Sequence, residues 1–584
     1  MKTIPYVPLT FILLATIVSN AHGTLSYQYD VHGRLAMAKF NEASAPSYNL
    51  IYEYDLVGNI TNIGFDGDGD GMPDYWEAAN GLNPVFNDAA LDADGDGFLN
   101  GEEYAKRTDP NNMPRIFVRD HASPAGDGTS WSSPFPTLQD ALRSTRLKAE
   151  IWVSAGLYQP DWALEGEVTP GGRAAAFVLK NGVAIYGGFG GYENSLAQRN
   201  LTGPQTVLSG ELGGSSSADN SYHVVISAGN DSTAILDGVV IRGGMAKGVP
   251  GYPGSQGGGI VIDGGSPVIR NTTIISNEAE YGGGMAVLNA SPSLVNVTCQ
   301  DNIASSGGGL LNYGGSPIIT QLTLRHNTAS SVGGGMANIN GSPSIANATI
   351  SDNISSWGSG YFGSADHATI RETRFERNQA SNMGGGLYIE AGSTAIDRSL
   401  IVSNTAGFGA GLCSIHGTLN TTNTIFVGNA ANFTGGAVLA DQADRSVFDS
   451  NNFFYNSAGS SGGVLFVDNG SRLIVSNSII GDNYAPGNTL VALNHYSSSV
   501  DINFSYVASG DAGIVILDPG FQQIITYQNN LSPPAYPGLS SDLLHLQPGS
   551  PCIDAGGPIA GPMADFDGEQ RPKGARRDIG VDEY

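Results

Sequence analysis

The 584 residues include only three cysteines, Cys299, Cys413 and Cys552, too few and too scattered for a disulfide framework. Charge is scarce too. Asp, Glu, Lys and Arg make up 14% of the chain, against the usual quarter, and the basic residues are the scarcer: 27 Lys and Arg against 54 Asp and Glu. The resulting formal charge of −27 repels phosphate backbones and anionic lipid, which excludes nucleic acid as a partner class. After the N-terminal leader no apolar run approaches the roughly 20 residues that a bilayer core demands, so no transmembrane segment is expected in the mature chain.

Glycine is abundant instead, at 81 residues. Each would cost about 1 kcal/mol inside a helix, which disfavours helical solenoids. The glycines cluster and do not fall at every third position, which excludes collagen. With 40% hydrophobic residues at regular intervals the chain can bury a core, and it is too long for a single ordinary one. Several domains, or one elongated repeat architecture, follow.

Met1–Gly23 carries Lys2, an apolar run from Val7 to Val18 and the small-x-small site Ser19-Asn20-Ala21, the pattern of a secretory signal peptide. Next, in residues 24–63, Tyr27-x-Tyr29-Asp30-x-x-Gly33 returns 25 residues later as Tyr52-x-Tyr54-Asp55-x-x-Gly58. Alternating aromatics before an Asp-x-x-Gly turn suit β-hairpins. The pair resembles the YD-repeat family of bacterial surface proteins.

Residues 64–112 hold the sharpest chemistry. Twelve acidic and two basic residues lie between Asp66 and Asp109. A hard cation such as Ca²⁺ takes six to eight oxygens, and a twelve-residue loop supplies them from positions 1, 3, 5, 7, 9 and 12, with Gly at 6 for the turn. Asp66, Asp68, Asp70, Met72 through its carbonyl, Asp74 and Glu77 fit, with Gly71 at the turn; so do Asp92, Asp94, Asp96, Phe98 through its carbonyl, Asn100 and Glu103, with Gly97. Gly-Leu-Asn-Pro at 81–84 and Arg-Thr-Asp-Pro at 107–110 extend the match, 26 residues apart, so the unit is duplicated. These loops resemble the bacterial thrombospondin type 3 repeat, and the resemblance implies a structural Ca²⁺ spacer. Pro73 departs from the EF-hand pattern, where an aliphatic residue pairs the two loops.

From about Val261 to Leu490 a unit of 25 to 27 residues recurs, anchored on Asn277, Asn302, Asn327, Asn353, Asn378, Asn404, Asn429, Asn456 and Asn483. An apolar residue stands three positions before each, Ala two positions after in eight of the nine, and Gly seven positions after in the first eight. Strand, asparagine and glycine bend make one rung of a parallel β-solenoid, with the Asn as an internal hydrogen-bonded ladder at strand spacing. A second ladder is expected six positions earlier, at Asn271, Asn296, Gln321, Asn347, Asn423 and Asn477. The leucine-rich repeat competes only at Leu322-x-Leu324-x-x-Asn327 and fails at the other rungs.

The rungs resemble the polymorphic outer-membrane-protein repeat, a right-handed β-helix family of adhesins. Pro548-Gly549-Ser550-Pro551-Cys552-Ile553-Asp554 through Asp578-Ile579-Gly580-Val581-Asp582-Glu583-Tyr584 resembles the choice-of-anchor Q domain. The expected fold is mainly β: a right-handed parallel β-helix of about 25 residues per coil behind a small calcium-loop module. Its parts are a leader (1–23), the YD-like module (24–63), the calcium loops (64–112), a cap with irregular early coils (115–260), regular coils (261–525) and a C-terminal cap (526–584).

A polysaccharide lyase or glycosidase is the enzymatic alternative. No Asp-Asp pair and no Gly-His-Gly is present. One outer column, Ser276, Asp301, His326, Asp352 and Arg377, precedes the ladder asparagines. Asp301 and Asp352 would lie two rungs apart, about 9–10 Å, near the upper carboxylate spacing of an inverting glycosidase, about 6.5–9.5 Å. A solvated stripe of alternating charge accounts for the same residues. On later rungs the outward positions turn apolar, at Leu400, Val402, Ile425, Val427, Phe454 and Ile479. Such a face must be covered or must bind a partner, and the stretch 524–544 is the expected cover. The function expected is a secreted or cell-surface calcium-binding scaffold for polysaccharide or other cell-surface components.

Overall fold

The computed structural model describes residues 12–13, 24–30, 33–41, 48–54, 58–95, 98–106, 108–111, 114–160, 162–163, 166–167, 172–213, 217–248, 254–443, 445–486, 489–494, 498–503, 505–507, 514–516, 524–528, 545–557 and 561–584. Backbone contacts divide the chain into two compact units, 1–116 with 142–151, and 117–141 with 152–584.

The first unit holds an antiparallel meander of strands Thr24–Tyr29, Leu35–Asn41, Tyr48–Tyr54 and Ile60–Asp66. The strands on either side of both Asp-x-x-Gly segments pair antiparallel, as expected of hairpins. In the first, Gly33 takes φ +74° and Asp30 receives the Arg34 backbone N–H (2.9 Å) and guanidinium (2.7 Å). The expected leader lies outside the described residues except for Ile12–Leu13, which pair with Gln28 and Tyr29.

The second unit is the parallel β-solenoid. In one coil the chain runs through Met285–Leu288, Ser293–Gln300 and Ile303–Ser306, then turns at Gly307-Gly308-Gly309 into the next coil. Met285 pairs with Leu310, Ser293 with Ile318 and Ile303 with Thr328, all in parallel register. Side chains therefore repeat in columns. The apolar column three residues before the ladder is buried throughout, from Ile274 and Cys299 to Phe453 and Ile480. The early segment keeps the same register with longer insertions, since Ala184 pairs with Ile235 and Ile235 with Val268. At the other end Ile524–Gln528 adds a strand beside Ser499–Asn503.

The asparagine ladder is continuous. From Asn277 to Asn456 each residue donates its backbone N–H and its Nδ2 to Oδ1 of the next ladder asparagine, at 2.9–3.1 Å. The second amide proton goes to a carbonyl one coil back, as from Asn353 to Leu324 (3.0 Å). Every donor and acceptor of the amide is used, which a buried polar group requires. The glycine corner makes room for it. A Cβ on Gly309 would stand 2.9 Å from Asn327 Nδ2 and 2.7 Å from the Gly335 carbonyl.

The second ladder does not form. Asn271, Asn296, Gln321, Asn347, Asn423 and Asn477 instead sit at a kink in the long strand with φ between 46° and 56°. Asparagine recurs there because its side chain tolerates the left-handed region. Within the column only Asn296 bonds its neighbour, donating to Asn271 Oδ1 (2.9 Å).

Part of the apolar outer face is covered by a later segment of the chain itself. Phe454, Ile479 and Tyr506 are buried beneath Leu546, Cys552 and Ile579, with Val427, Ile553 and Ala555 at the margin. Residues 524–528 are unavailable for this because they continue the β-ladder, and 529–544 lie outside the described residues. The three cysteines are buried and unbridged.

A buried acid interrupts the apolar interior. Asp366 is fully buried and accepts bonds from Asn338 Nδ2 (2.6 Å), Tyr361 Oη (3.0 Å) and Thr394 Oγ1 (3.0 Å). Burial pushes its carboxyl up to about 6 from the ordinary 3.8.

Two outcomes are expected. Asn353→Ala strands the donors of Asn327 and the Leu324 carbonyl; at about 1–3 kcal/mol per orphaned buried group the loss is on the order of 3 kcal/mol, read as a fall in thermal midpoint. Because the native Asp366 keeps its proton to about pH 6 while the unfolded one releases it near 3.8, the native state binds more protons in that window. Its contribution is complete below pH 3.8 and lost as pH rises towards 6. Two units correspond to about 3 kcal/mol. Asp366→Asn should remove that slope, so that wild type and variant converge at pH 4 and the variant is the more stable at pH 7.

Candidate metal centre and lateral groove

The meander delivers the first loop. Asp66 ends the strand Ile60–Asp66, opposite Asn49, whose Nδ2 donates to its Oδ2 (2.9 Å). The loop then winds around that carboxylate: Gly69 N–H donates to Oδ1 (2.7 Å) and Gly71 N–H to Oδ2 (3.2 Å). Gly71 needs to be glycine for its φ of +95°, since space around it is open. Asp68 and Asp70 take the N–H groups two residues on, at 3.1 and 2.9 Å, and Asp74 takes that of Gly67 at 2.7 Å. Met72 is buried, and Pro73, the departure from the EF-hand pattern, starts the helix Asp74–Ala79. A Cβ on Gly64 would meet the Pro73 ring at 2.5 Å, so this proline packs on the meander.

Carboxylate oxygens of Asp66, Asp68 and Asp70 come within 4.8 Å of one another, and so do those of Asp70, Glu77 and Asp88. Glu77 is the most telling residue. It is 0% exposed, and neither carboxylate oxygen has a hydrogen-bond partner among the described residues. Burial first, then Asp70 and Asp68, push its carboxyl up to about 8. Asp68 rises to about 6, chiefly by burial and next by Asp70, and its Oδ2 is likewise unpartnered. Buried carboxylates are paired with cations or bound to metals. An all-oxygen set of this density fits a hard divalent cation, which Asp66, Asp68, Asp70, Met72 and Glu77 would hold.

The second loop repeats the plan. Asp92 Oδ1 receives Gly95 N–H (2.6 Å) and Asn100 Oδ1 receives Ala93 N–H (3.2 Å), as Asp66 and Asp74 do in the first. Glu103 is buried and bonded by Thr108 Oγ1 (3.2 Å), Phe98 lies under the Arg146 guanidinium at 4.2 Å, and the Asp94 carbonyl receives Lys148 Nζ (2.7 Å). Asp96 and Gly97 lie outside the described residues. Asp88 was not assigned by loop spacing, because it stands outside both twelve-residue frames; its only sequence signal is membership of the acidic segment.

The outer column is brought together, but by backbone geometry. Ser276, Asp301, His326, Asp352 and Arg377 all have φ of 52–56° and form the corner before the ladder asparagines. His326 Nδ1 lies 3.8 Å from Asp301, and Arg377 grips both oxygens of Asp352 at 2.8 and 2.9 Å. The guanidinium beside it holds the Asp352 carboxyl below the usual range, whereas a general acid needs the opposite shift. The column is a solvated stripe of alternating charge.

A concave site lies elsewhere in the second unit. Outward residues of successive coils, Arg371, Asp397, Thr422 and Asp449, register with one another, and the segment Gly561–Ala564 stands beside them as a wall. Asn423 Nδ2 ties that wall to the sheet through the Ala564 carbonyl (3.0 Å). The groove between has a volume of about 750 Å³. Thr422 Oγ1 (2.8 Å) and Asn423 Nδ2 (3.1 Å) hold Asp397. Arg371 and Asn420 are exposed along the floor, and Met563 is 75% exposed on the wall. No periodic signal marks this site, because its wall comes from a segment that occurs once.

Among the described residues no helix is long and apolar enough to cross a membrane. No curated protein and no solved structure matches the chain. Residues 258–431 match the family model of the right handed beta helix region, and residues 66–85 and 92–112 match that of the bacterial TSP3 repeat, so the solenoid is a right-handed β-helix preceded by two TSP3 repeats.

Proposed function

We propose that this protein is an exported, calcium-ordered β-helix that holds polysaccharide or another carbohydrate of a cell surface on its lateral face. The observation that carries the reading is the groove over Arg371, Asn420 and Asp397, where the outer surface departs from a flat array of columns and gains a wall. Saccharides are bound by planar polar side chains that meet several hydroxyls at once, beside an apolar surface for the sugar ring. Arg371, Asn420 and Asp397 offer the first and Met563 the second. The leader at 1–23 and the TSP3 match support export, and the unpartnered Glu77 supports calcium.

Electrophoresis of the purified chain through gels containing acidic or neutral polysaccharides tests the binding role. Retardation by at least one polymer, weakened at least fivefold in Arg371→Ala and Asn420→Ala with unchanged thermal midpoints, is the expected result. Retardation by none would overturn it, and release of reducing ends or unsaturated sugars would assign an enzyme instead.

Calcium is tested separately by calorimetric titration of the full chain. Uptake with dissociation constants of about 10⁻⁴–10⁻³ M is expected, as for extracellular modules. At ten times such a constant, each site adds about 1.4 kcal/mol of stability, which a chelator should remove. No uptake at millimolar Ca²⁺ would overturn this part.

A further inference from the structure

We infer that Asp88 is a ligand of the first cation site, supplied from outside the twelve-residue loop, and that it makes the first of the duplicated loops the tighter one. The inference rests on the reading that these loops take Ca²⁺. Loop spacing assigns ligands only as far as Glu77. Beyond the helix Asp74–Ala79 the chain returns to the loop, and Asp70 Oδ2 receives the backbone N–H groups of Asp88 (3.2 Å) and Ala89 (3.0 Å). This clamp sets the Asp88 carboxylate against Asp70 and Glu77, within the 4.8 Å cluster.

Asp88 is 6% exposed; its Oδ2 accepts from Asn83 N–H (3.3 Å), while Oδ1 has no hydrogen-bond partner among the described residues. Beside it both oxygens of the fully buried Glu77 are unpartnered as well. Three carboxylates brought to one buried place, with three oxygens unanswered, call for a cation between them.

The second loop has no equivalent. The repeat is displaced by 26 residues, and the residue 26 after Asp88 is Pro114. Position nine is Asp74 in the first loop and neutral Asn100 in the second. Asn100 donates its Nδ2 to the Asp88 backbone carbonyl (2.9 Å), so the second loop meets this segment through a neutral hydrogen bond. Lys148 Nζ also lies against the second loop, at the Asp94 carbonyl (2.7 Å). By sequence the first loop together with Asp88 offers six carboxylates (Asp66, Asp68, Asp70, Asp74, Glu77, Asp88) and the second loop four (Asp92, Asp94, Asp96, Glu103), and an ammonium lies at the Asp94 carbonyl. Affinity of oxygen cages for Ca²⁺ rises with ligand charge.

Calorimetric titration of the full chain with Ca²⁺ alone is the test. Wild type should show two classes of site at least about tenfold apart. Asp88→Asn should bring the tight class down to about the weak one, Asp88→Glu should retain most of it, and Asp92→Asn should remove the weak class only. Far-UV circular dichroism of each variant checks that the β-helix is intact. A single class in wild type, an unchanged tight class in Asp88→Asn, or loss of the tight class in Asp92→Asn would overturn the inference. Wild type that takes up no Ca²⁺ would instead overturn the calcium reading on which it stands.

Discussion

The solenoid depends on one constraint: wherever the chain turns inside a coil, its backbone polar groups are buried and must be answered in every lap. Asparagine meets that demand because its amide has two donors and an acceptor with two lone pairs. At Asn353, for example, Oδ1 receives two bonds from Asn327 while Nδ2 supplies Asn378 and the Leu324 carbonyl. The pattern closes only if the next coil carries asparagine at the same place. The glycine corner follows from it, since a side chain at Gly309 would strike the Asn327 amide. So does the small residue two positions past the ladder, which stacks in a column of buried alanines from Ala380 to Ala485.

This explains what could be read in the sequence. The ladder, the apolar column and the glycine bend recur with little drift, so period alone placed them, and the two TSP3 repeats were legible because their acidic residues keep a fixed internal spacing. Columns of asparagine have two physical causes, however, and sequence does not separate them. Asn302 is repeated for its hydrogen bonds and Asn296 for its left-handed backbone. Single-copy features leave no period. Asp88 joins the acidic cluster through two backbone bonds to Asp70, and the cover at Leu546, Cys552 and Ile579 comes from a segment used once.

The two units solve the problem of charge in opposite ways. Within the coils, ionisable side chains are mostly kept to outward columns and corners, and the fully buried Asp366 is met by three side-chain donors, from Asn338, Tyr361 and Thr394, while burial raises its affinity for a proton. The acidic repeats concentrate charge where backbone amides can share it: Asp66 alone receives two loop N–H groups and an amide. Backbone dipoles offset part of the repulsion, but they cannot reach Glu77, and a buried carboxylate without donors is stable only when protonated or beside a cation.

The left-handed corner also changes where function should be sought on such a surface. A vertical run such as Asp301, His326 and Asp352 has the look of a catalytic set, yet each residue sits at φ near 55°, where Asn, Asp and His are enriched on backbone grounds alone. A column of chemistry-bearing residues on a solenoid therefore carries little functional weight when its backbone already selects for them. Weight belongs to places where the translational repeat breaks. At Arg371, Asp397 and Asp449 the floor is still periodic, but the tether from Asn423 to Ala564 adds a wall from outside the repeat. A wall supplied by a single-copy segment leaves no period in the sequence, so this groove is read from the structure and not from the repeat.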